Sequence, residues 1–158
     1  MAFKIEPEDE PKMTDHYKKL EQMYLLAPYN VALYDDTSIV ISEGRAEIST
    51  RVCHRHHHGA GALHGSGYFR LLDDAAFFAV NSTVLDTMVY TVSFNTHFLR
   101  PVQSGIIKAI GVIKHRSRNL YIGESSLYDE KNQLIALGRG EFMKSNIDLH
   151  TIPGYIDK

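Results

Sequence analysis

The chain has 158 residues and a formal net charge of −2, from 17 Lys and Arg against 19 Asp and Glu. That length suits one domain with a real core. The near-neutral charge gives no reason to expect a nucleic-acid binder, and no apolar run reaches transmembrane length. Cys53 is the only cysteine, so no disulfide framework is expected. The N-terminus is acidic and has no apolar signal-type segment, which makes a cytoplasmic protein the expectation.

Residues 1–12, with Glu6-Pro7-Glu8-Asp9-Glu10-Pro11, read as a mobile acidic tail. The domain proper reads as 13–145, followed by a polar C-terminal tail at 146–158. Thr14 or Asp15 can cap a helix running to about Ala27. Tyr17, Leu20 and Tyr24 lie on one of its faces, and Pro28 ends it. Tyr29 to Tyr34 reads as a short strand. Ser38 to Val52 reads as one long extended stretch. Ile39, Ile41, Ala46 and Ile48 keep a period of two there, around a bulge or bend at Gly44. A His-rich loop fills 53–63.

A glycine-rich run then opens a helix over Gly65–Ser82. From Tyr68 to Val80 its only polar residues are Arg70, Asp73 and Asp74. A surface helix shows one apolar stripe, whereas this one is apolar nearly all round and needs covering on several sides. A carboxylate there is costly unless paired or hydrogen-bonded, so Asp73 and Asp74 are the first candidates for function. Four strand-like runs follow: Met88–Leu99, Gly105–Lys114, Asn119–Tyr128 and Gln133–Met143. In the first, Tyr90, Val92 and Phe94 alternate with Thr91, Ser93 and Asn95. Short hairpins between these runs predict an antiparallel meander. The expected architecture is α+β: a curled antiparallel sheet wrapped around one long central helix, with an extra N-terminal helix.

Leu63-His64-Gly65-Ser66, Leu72-Asp73, Ala75 and Ala79-Val80-Asn81-Ser82 form an ordered set. Thr91-Val92-Ser93-Phe94-Asn95, Arg100-Pro101, Leu134-Ile135-Ala136 and Gly138 continue it. The set resembles the hotdog-fold acyl-CoA thioesterases of the phenylacetate-pathway, PaaI-like, type, over roughly residues 29–143. The step from His64 to Asp73 matches that family's spacing. Two positions depart from it: His58 stands where the family has Asn, and Ser66 where it has a second Gly.

The resemblance implies a hotdog fold, an acyl-coenzyme A substrate, no cofactor, and a homodimer or a dimer of dimers. It implies Asp73 and Gly65 as catalytic groups, assisted by His58 and Thr91. His64, Ser66 and Gly61 are the candidate substrate contacts around them. Lys114, Arg116 and Arg118 cluster in one inter-strand turn and are candidates for the coenzyme A phosphates. Neither a membrane nor a nucleic-acid partner is expected.

Elementary chemistry reaches some of the same residues. A helix N-terminus offers free N–H groups and partial positive charge to an oxyanion, and glycine leaves the approach unobstructed. Asp73 is the candidate base or nucleophile; burial would raise its pKa and hydrogen bonds would lower it. Gly65 and Asp73 are eight residues apart, roughly 12 Å of helical rise. An oxyanion donor acts from about 3 Å, so one chain is not expected to bring both to one thioester. Gly65 of one subunit is expected to work with Asp73 of another, in a two-fold dimer.

Other readings carry less. Asp74 reads as a hydrogen-bonding neighbour of Asp73. Cys53-His54-Arg55-His56-His57-His58 has zinc-type side chains, but adjacent residues cannot all converge on one ion, so it reads as a loop at a site mouth with no metal. Cys53 lacks a supporting nucleophile motif. No nucleophile elbow, dinucleotide fingerprint or P-loop is present. Tyr68, Phe69, Phe77, Phe78 and Phe98 can line an acyl pocket or fill the core, and core is the expectation for most. The rival functions are a non-catalytic acyl-CoA-binding or sensing domain, and a hotdog dehydratase or hydratase.

Overall fold

The computed structural model describes residues 10–156. Up to residue 9, the acidic tail read from sequence lies outside the described residues. Helix α1 runs Glu10–Leu26 and α2 Pro28–Leu33. Tyr29 to Leu33 is therefore helix rather than strand. The reason is Pro28, whose fixed φ and missing N–H suit the first position of a helix. Strands β1 (Thr37–Ser42) and β2 (Arg45–Val52) form a hairpin whose two-residue turn holds Gly44 at φ +67°. What reads as one bent stretch is a full reversal, because glycine supplies the left-handed conformation that tight hairpins use.

Helix α3 spans Gly65–Asn81. β3 (Thr87–Phe98), β4 (Gly105–Arg116), β5 (Leu120–Tyr128) and β6 (Leu134–Asp148) follow, and a short helix α4 (Pro153–Ile156) comes last. All strand pairs are antiparallel, in the order β1-β2-β4-β5-β6-β3. Only β4, β5 and β6 form the meander; β3 crosses over to pair with β6.

This order overturns the curled, wrapping sheet. The sheet is open, with β1 and β3 as unjoined edges, whereas closure would require those edges to pair at matched tilt and shear. α3 lies on one face only. The opposite face carries ion pairs such as Lys108 with Glu47 and Arg139 with Glu124. The apolar excess of α3 is met in part by α1, where the Tyr24 ring packs edge-on to Phe78 with centroids 5.1 Å apart.

α3 sits close to the sheet because two strands present glycine beneath it. A Cβ on Gly111 would lie 2.1 Å from the Ala75 carbonyl oxygen, and one on Gly123 would lie 3.2 Å from the Ala76 Cβ. Ser125 Oγ donates to the Leu72 carbonyl at 2.7 Å. At the helix end, fully buried Asn81 donates to the carbonyls of Val84 and Thr87 and accepts from Val89 N–H, which sets the start of β3. His16 of α1 donates from Nε2 to the Asn81 carbonyl at 2.9 Å and accepts from Tyr155 of α4 at Nδ1, tying three helices together. Burial holds its imidazole pKa below the ordinary value.

Gly111→Ala should destabilise the fold by about 2–3 kcal/mol, the scale of overpacking against a backbone that cannot yield. Urea unfolding of Gly111→Ala beside Gly59→Ala checks this. Gly59 has open space around it, so its substitution should change stability by less than about 0.5 kcal/mol.

Candidate active site

With Leu72, Ala75, Ala76 and Ala79 buried on the sheet side of α3, Asp73 and Asp74 project to its flanks. Asp73 reaches β3, where the Thr91 hydroxyl donates to its Oδ1 at 2.8 Å. Asp74 reaches α1, where the Tyr24 hydroxyl donates to its Oδ2 at 3.0 Å. The two carboxylates thus lean to different sides of α3, each tethered to a different element.

The alternation in β3 assigns Thr91 to the face away from Tyr90, Val92 and Phe94. The structure divides that set. Tyr90 and Val92 are exposed, Val89 is buried, and Thr91 points to α3. A register shift against β6 between Thr91 and Ser93 inserts one extra residue, which returns Phe94 to the inner side. Phe94 then lies over Gly138 and Gly140, where a Cβ would come within 2.4 Å of its ring.

The environments of the two carboxylates differ. Burial pushes the Asp73 pKa above the usual carboxylate value, and the Thr91 hydrogen bond pulls it back. Burial pushes Asp74 up to about 7; the Arg70 cation opposes the rise and the neighbouring Asp73 charge adds to it. Arg70 is itself buried. It donates from Nε and Nη2 to Asn30 Oδ1 at 3.1 and 2.8 Å, and its guanidinium lies over the Tyr34 ring at 3.8 Å. Tyr34 in turn stacks on His56 at 4.4 Å. Arg70 Nε is 3.8 Å from Asp74 Oδ2, too long for a hydrogen bond. The four-residue spacing of Arg70 and Asp74 was the one local signal of this network; Asn30, Tyr34 and His56 had none.

At the other end of α3, His64 is the N-cap and its Nδ1 accepts from Ser66 N–H at 3.0 Å, with Ser66 Oγ at 2.8 Å. Gly65 is the first helical residue, so its N–H has no intrahelical partner. His58, Gly65, Tyr68, Phe98 and Arg100 border one crevice of about 320 Å³. His58 Nδ1 accepts from Ala60 N–H at 3.0 Å, and Gly61 beside it has φ +81°.

The structure therefore pairs Asp73 with Thr91 and groups His58 with Gly65. Roughly 12 Å of helical rise separates the two sets within one chain. Lys114, Arg116 and Arg118 border another crevice, with Thr83 and Lys144, past the C-terminal end of α3. Lys114 also meets Glu124 at 3.5 Å.

The His-rich loop has local partners. His56 donates from Nε2 to the Leu33 carbonyl, and its Nδ1 accepts from Cys53 N–H at 3.2 Å and lies 3.5 Å from Cys53 Sγ. His57 donates to the Gln103 carbonyl at 2.7 Å. Among the described residues no three His, Cys, Asp or Glu side chains are grouped as a metal site. Tyr68, Phe77 and Phe78 are buried in the core, whereas Phe69 and Phe98 are exposed.

Comparison with known proteins matches residues 60–136 to the thioesterase superfamily. The chain is 26% identical over 102 residues to the 1,4-dihydroxy-2-naphthoyl-CoA hydrolase of Listeria monocytogenes serotype 1/2a (strain 10403S), covering 64% of this chain and 83% of that one. Its fold is similar to that of the E. coli PaaI protein from the phenylacetic acid degradation operon. That match has a TM-score of 0.77 at 21% identity and covers 86% of this chain and 97% of the other. A Haemophilus influenzae thioesterase aligns with a TM-score of 0.73 at 23% identity, over 83% and 91% of the two chains. The chain is thus similar to the thioesterase superfamily over that segment, and its fold is similar to those of the two solved structures. Among the described residues no helix is long and apolar enough to cross a membrane.

The raised pKa of Asp74 has a consequence for stability. A carboxyl whose folded pKa exceeds its unfolded value favours the fold while protonated, and that contribution is lost as pH rises through the folded pKa. Stability should therefore fall between about pH 4 and 7, by on the order of 2–4 kcal/mol for this group. Asp74→Asn should flatten that decline, measured by urea midpoints across the range. A decline of unchanged size in the variant would mean that Asp74 ionises normally in the fold.

Proposed function

We propose that the protein hydrolyses acyl-coenzyme A thioesters at a site shared by two subunits, with Asp73 as the essential carboxylate. The observation that carries this reading is the Asp73–Thr91 pair. It is a half-buried carboxylate held at one oxygen by a 2.8 Å hydrogen bond, with the other oxygen left for reaction. Asp74, with a pKa near 7, favours a proton when its neighbour is charged, so the pair supports one ionised and one neutral acid. An acyl-CoA is what the Listeria relative's name says it hydrolyses.

In the general-base route, Asp73 takes a proton as water oxygen bonds to the thioester carbon. The carbonyl oxygen becomes an oxyanion, stabilised by Gly65 N–H of the partner subunit. The C–S bond then breaks, and the coenzyme A sulfur leaves with the proton from Asp73. In the nucleophilic route, Asp73 attacks the carbon directly, the C–S bond breaks and coenzyme A leaves as a thiolate; water then hydrolyses the anhydride to the free acid and the Asp73 carboxylate, and the proton released goes to the thiolate. Both routes need Asp73 ionised. His58, His64, Ser66 and Gly61 flank the oxyanion end. Lys114, Arg116 and Arg118 are assigned to the coenzyme A phosphates.

The subunit pairing is supported by the free edge of β3, which exposes Tyr90, Val92 and Phe98, and by exposed Phe69 on the open side of α3. An uncovered apolar edge strand invites pairing with another chain, and a two-fold dimer is the simplest closed arrangement.

Asp73→Asn should retain the fold and lose turnover of acyl-CoA by about 100-fold or more, the scale of losing a general base. Thiol release measured on a folded variant checks this. Near wild-type turnover would remove Asp73 from the reaction. Binding of acyl-CoA without turnover by the wild-type chain would favour the sensing-domain reading.

A further inference from the structure

Toward the C-terminus of α3 from Asp73 and Asp74, an apolar groove lies between α1, β3 and α4. One turn beyond Asp74 its floor is Phe78. Its walls are Met23 and Tyr24 of α1 and Met88 of β3, and Ile152 and Pro153 at the start of α4 close its end. This groove has a volume of about 640 Å³, within the range of small-molecule sites. Its one side-chain hydroxyl, on Tyr24, is already spent on Asp74. The groove therefore offers apolar contact and almost no hydrogen bonding.

Resting on the hydrolase reading above, we propose that this groove receives the apolar tail of the acyl group and selects long tails over short ones. Three observations fix the occupant. The groove adjoins the candidate site through two elements. Tyr24 both lines it and bonds Asp74, and Met88 lies three residues before Thr91, the partner of Asp73. From Asp73 to Phe78 the helix rises about 7.5 Å, so an acetyl group held at Asp73 falls short of the groove, whereas a medium-length chain enters it. Finally, α1 and α4 lie outside the segment shared with the thioesterase superfamily, residues 60–136. The walls that would set tail length therefore lie outside the segment that the family model matches.

The test measures binding of non-hydrolysable thioethers to the full chain by calorimetry, S-decyl-coenzyme A against S-ethyl-coenzyme A. The wild-type protein should prefer the decyl compound by tenfold or more, since each buried methylene adds favourable transfer energy. Met88→Trp and Ala27→Phe both fill the groove from different elements. Each should cut decyl affinity at least tenfold and leave ethyl affinity within about twofold. Equal affinity of the wild-type protein for both compounds would overturn the proposal, including the case in which residues 1–9 of the chain occupy the groove. So would filled variants that keep the decyl preference. Because the readout is binding, a chain that prefers decyl but hydrolyses nothing would refute the hydrolase reading and leave the groove assignment standing.

Discussion

The structure depends on how closely α3 seats on its sheet. Gly111 and Gly123 remove the side chains that would hold the helix off, and Ala75 and Ala76 fill the remaining space. Once that face is fixed, helical geometry leaves Asp73 and Asp74 no room on the sheet side. One must lean toward β3 and the other toward α1. The tethers from Thr91 and Tyr24, the crossing of β3 to the far edge, and the placement of α1 over the helix all follow the same axis. A single close contact between helix and sheet thus decides where the carboxylates lie.

Their chemistry follows from their surroundings. Both are desolvated by the same helix, but each has a different compensation. Asp73 has a neutral hydroxyl donor and an open oxygen; Asp74 has a tyrosine donor, a nearby guanidinium and deeper burial. Neighbouring charges cannot both form cheaply, so the more deeply buried group holds its proton more strongly. That division leaves Asp73 the more readily ionised carboxyl and Asp74 the more readily protonated one.

The central helix and the strand segments were legible in the sequence because each is written in local pattern, and Asp73 stood out there as a candidate. The helix has a glycine-rich start and an apolar run, the strand-like runs are separated by short turn signals, and a carboxylate in an apolar helix stands out. What was not legible depended on distant parts of the chain. The bulge after Thr91 shifts every later residue of β3, and no glycine or proline marks it. The curled sheet was inferred from a helix apolar nearly all round, but α1 covers part of that surface, so the sheet stays open. Two corrections had local signals that admitted another reading: Pro28 starts a helix as well as ending one, and Gly44 makes a hairpin as well as a bend. The Arg70–Asn30–Tyr34–His56 assembly joins four segments and is visible only once they meet.

The proposed site is assembled from two chains, with Asp73 from one and Gly65 N–H from the other. Gly65 has no left-handed backbone conformation, and a Cβ there would meet only Phe98 at an ordinary 3.7 Å. Gly65→Val therefore obstructs the helix N-terminus without forcing the fold. Co-expressing Gly65→Val with Asp73→Asn, each nearly inactive alone, is the most direct measurement. Half of randomly assorted dimers are mixed, and each has one intact site, so about a quarter of wild-type activity should return. Folded mixed dimers that recover no activity would contradict the shared site.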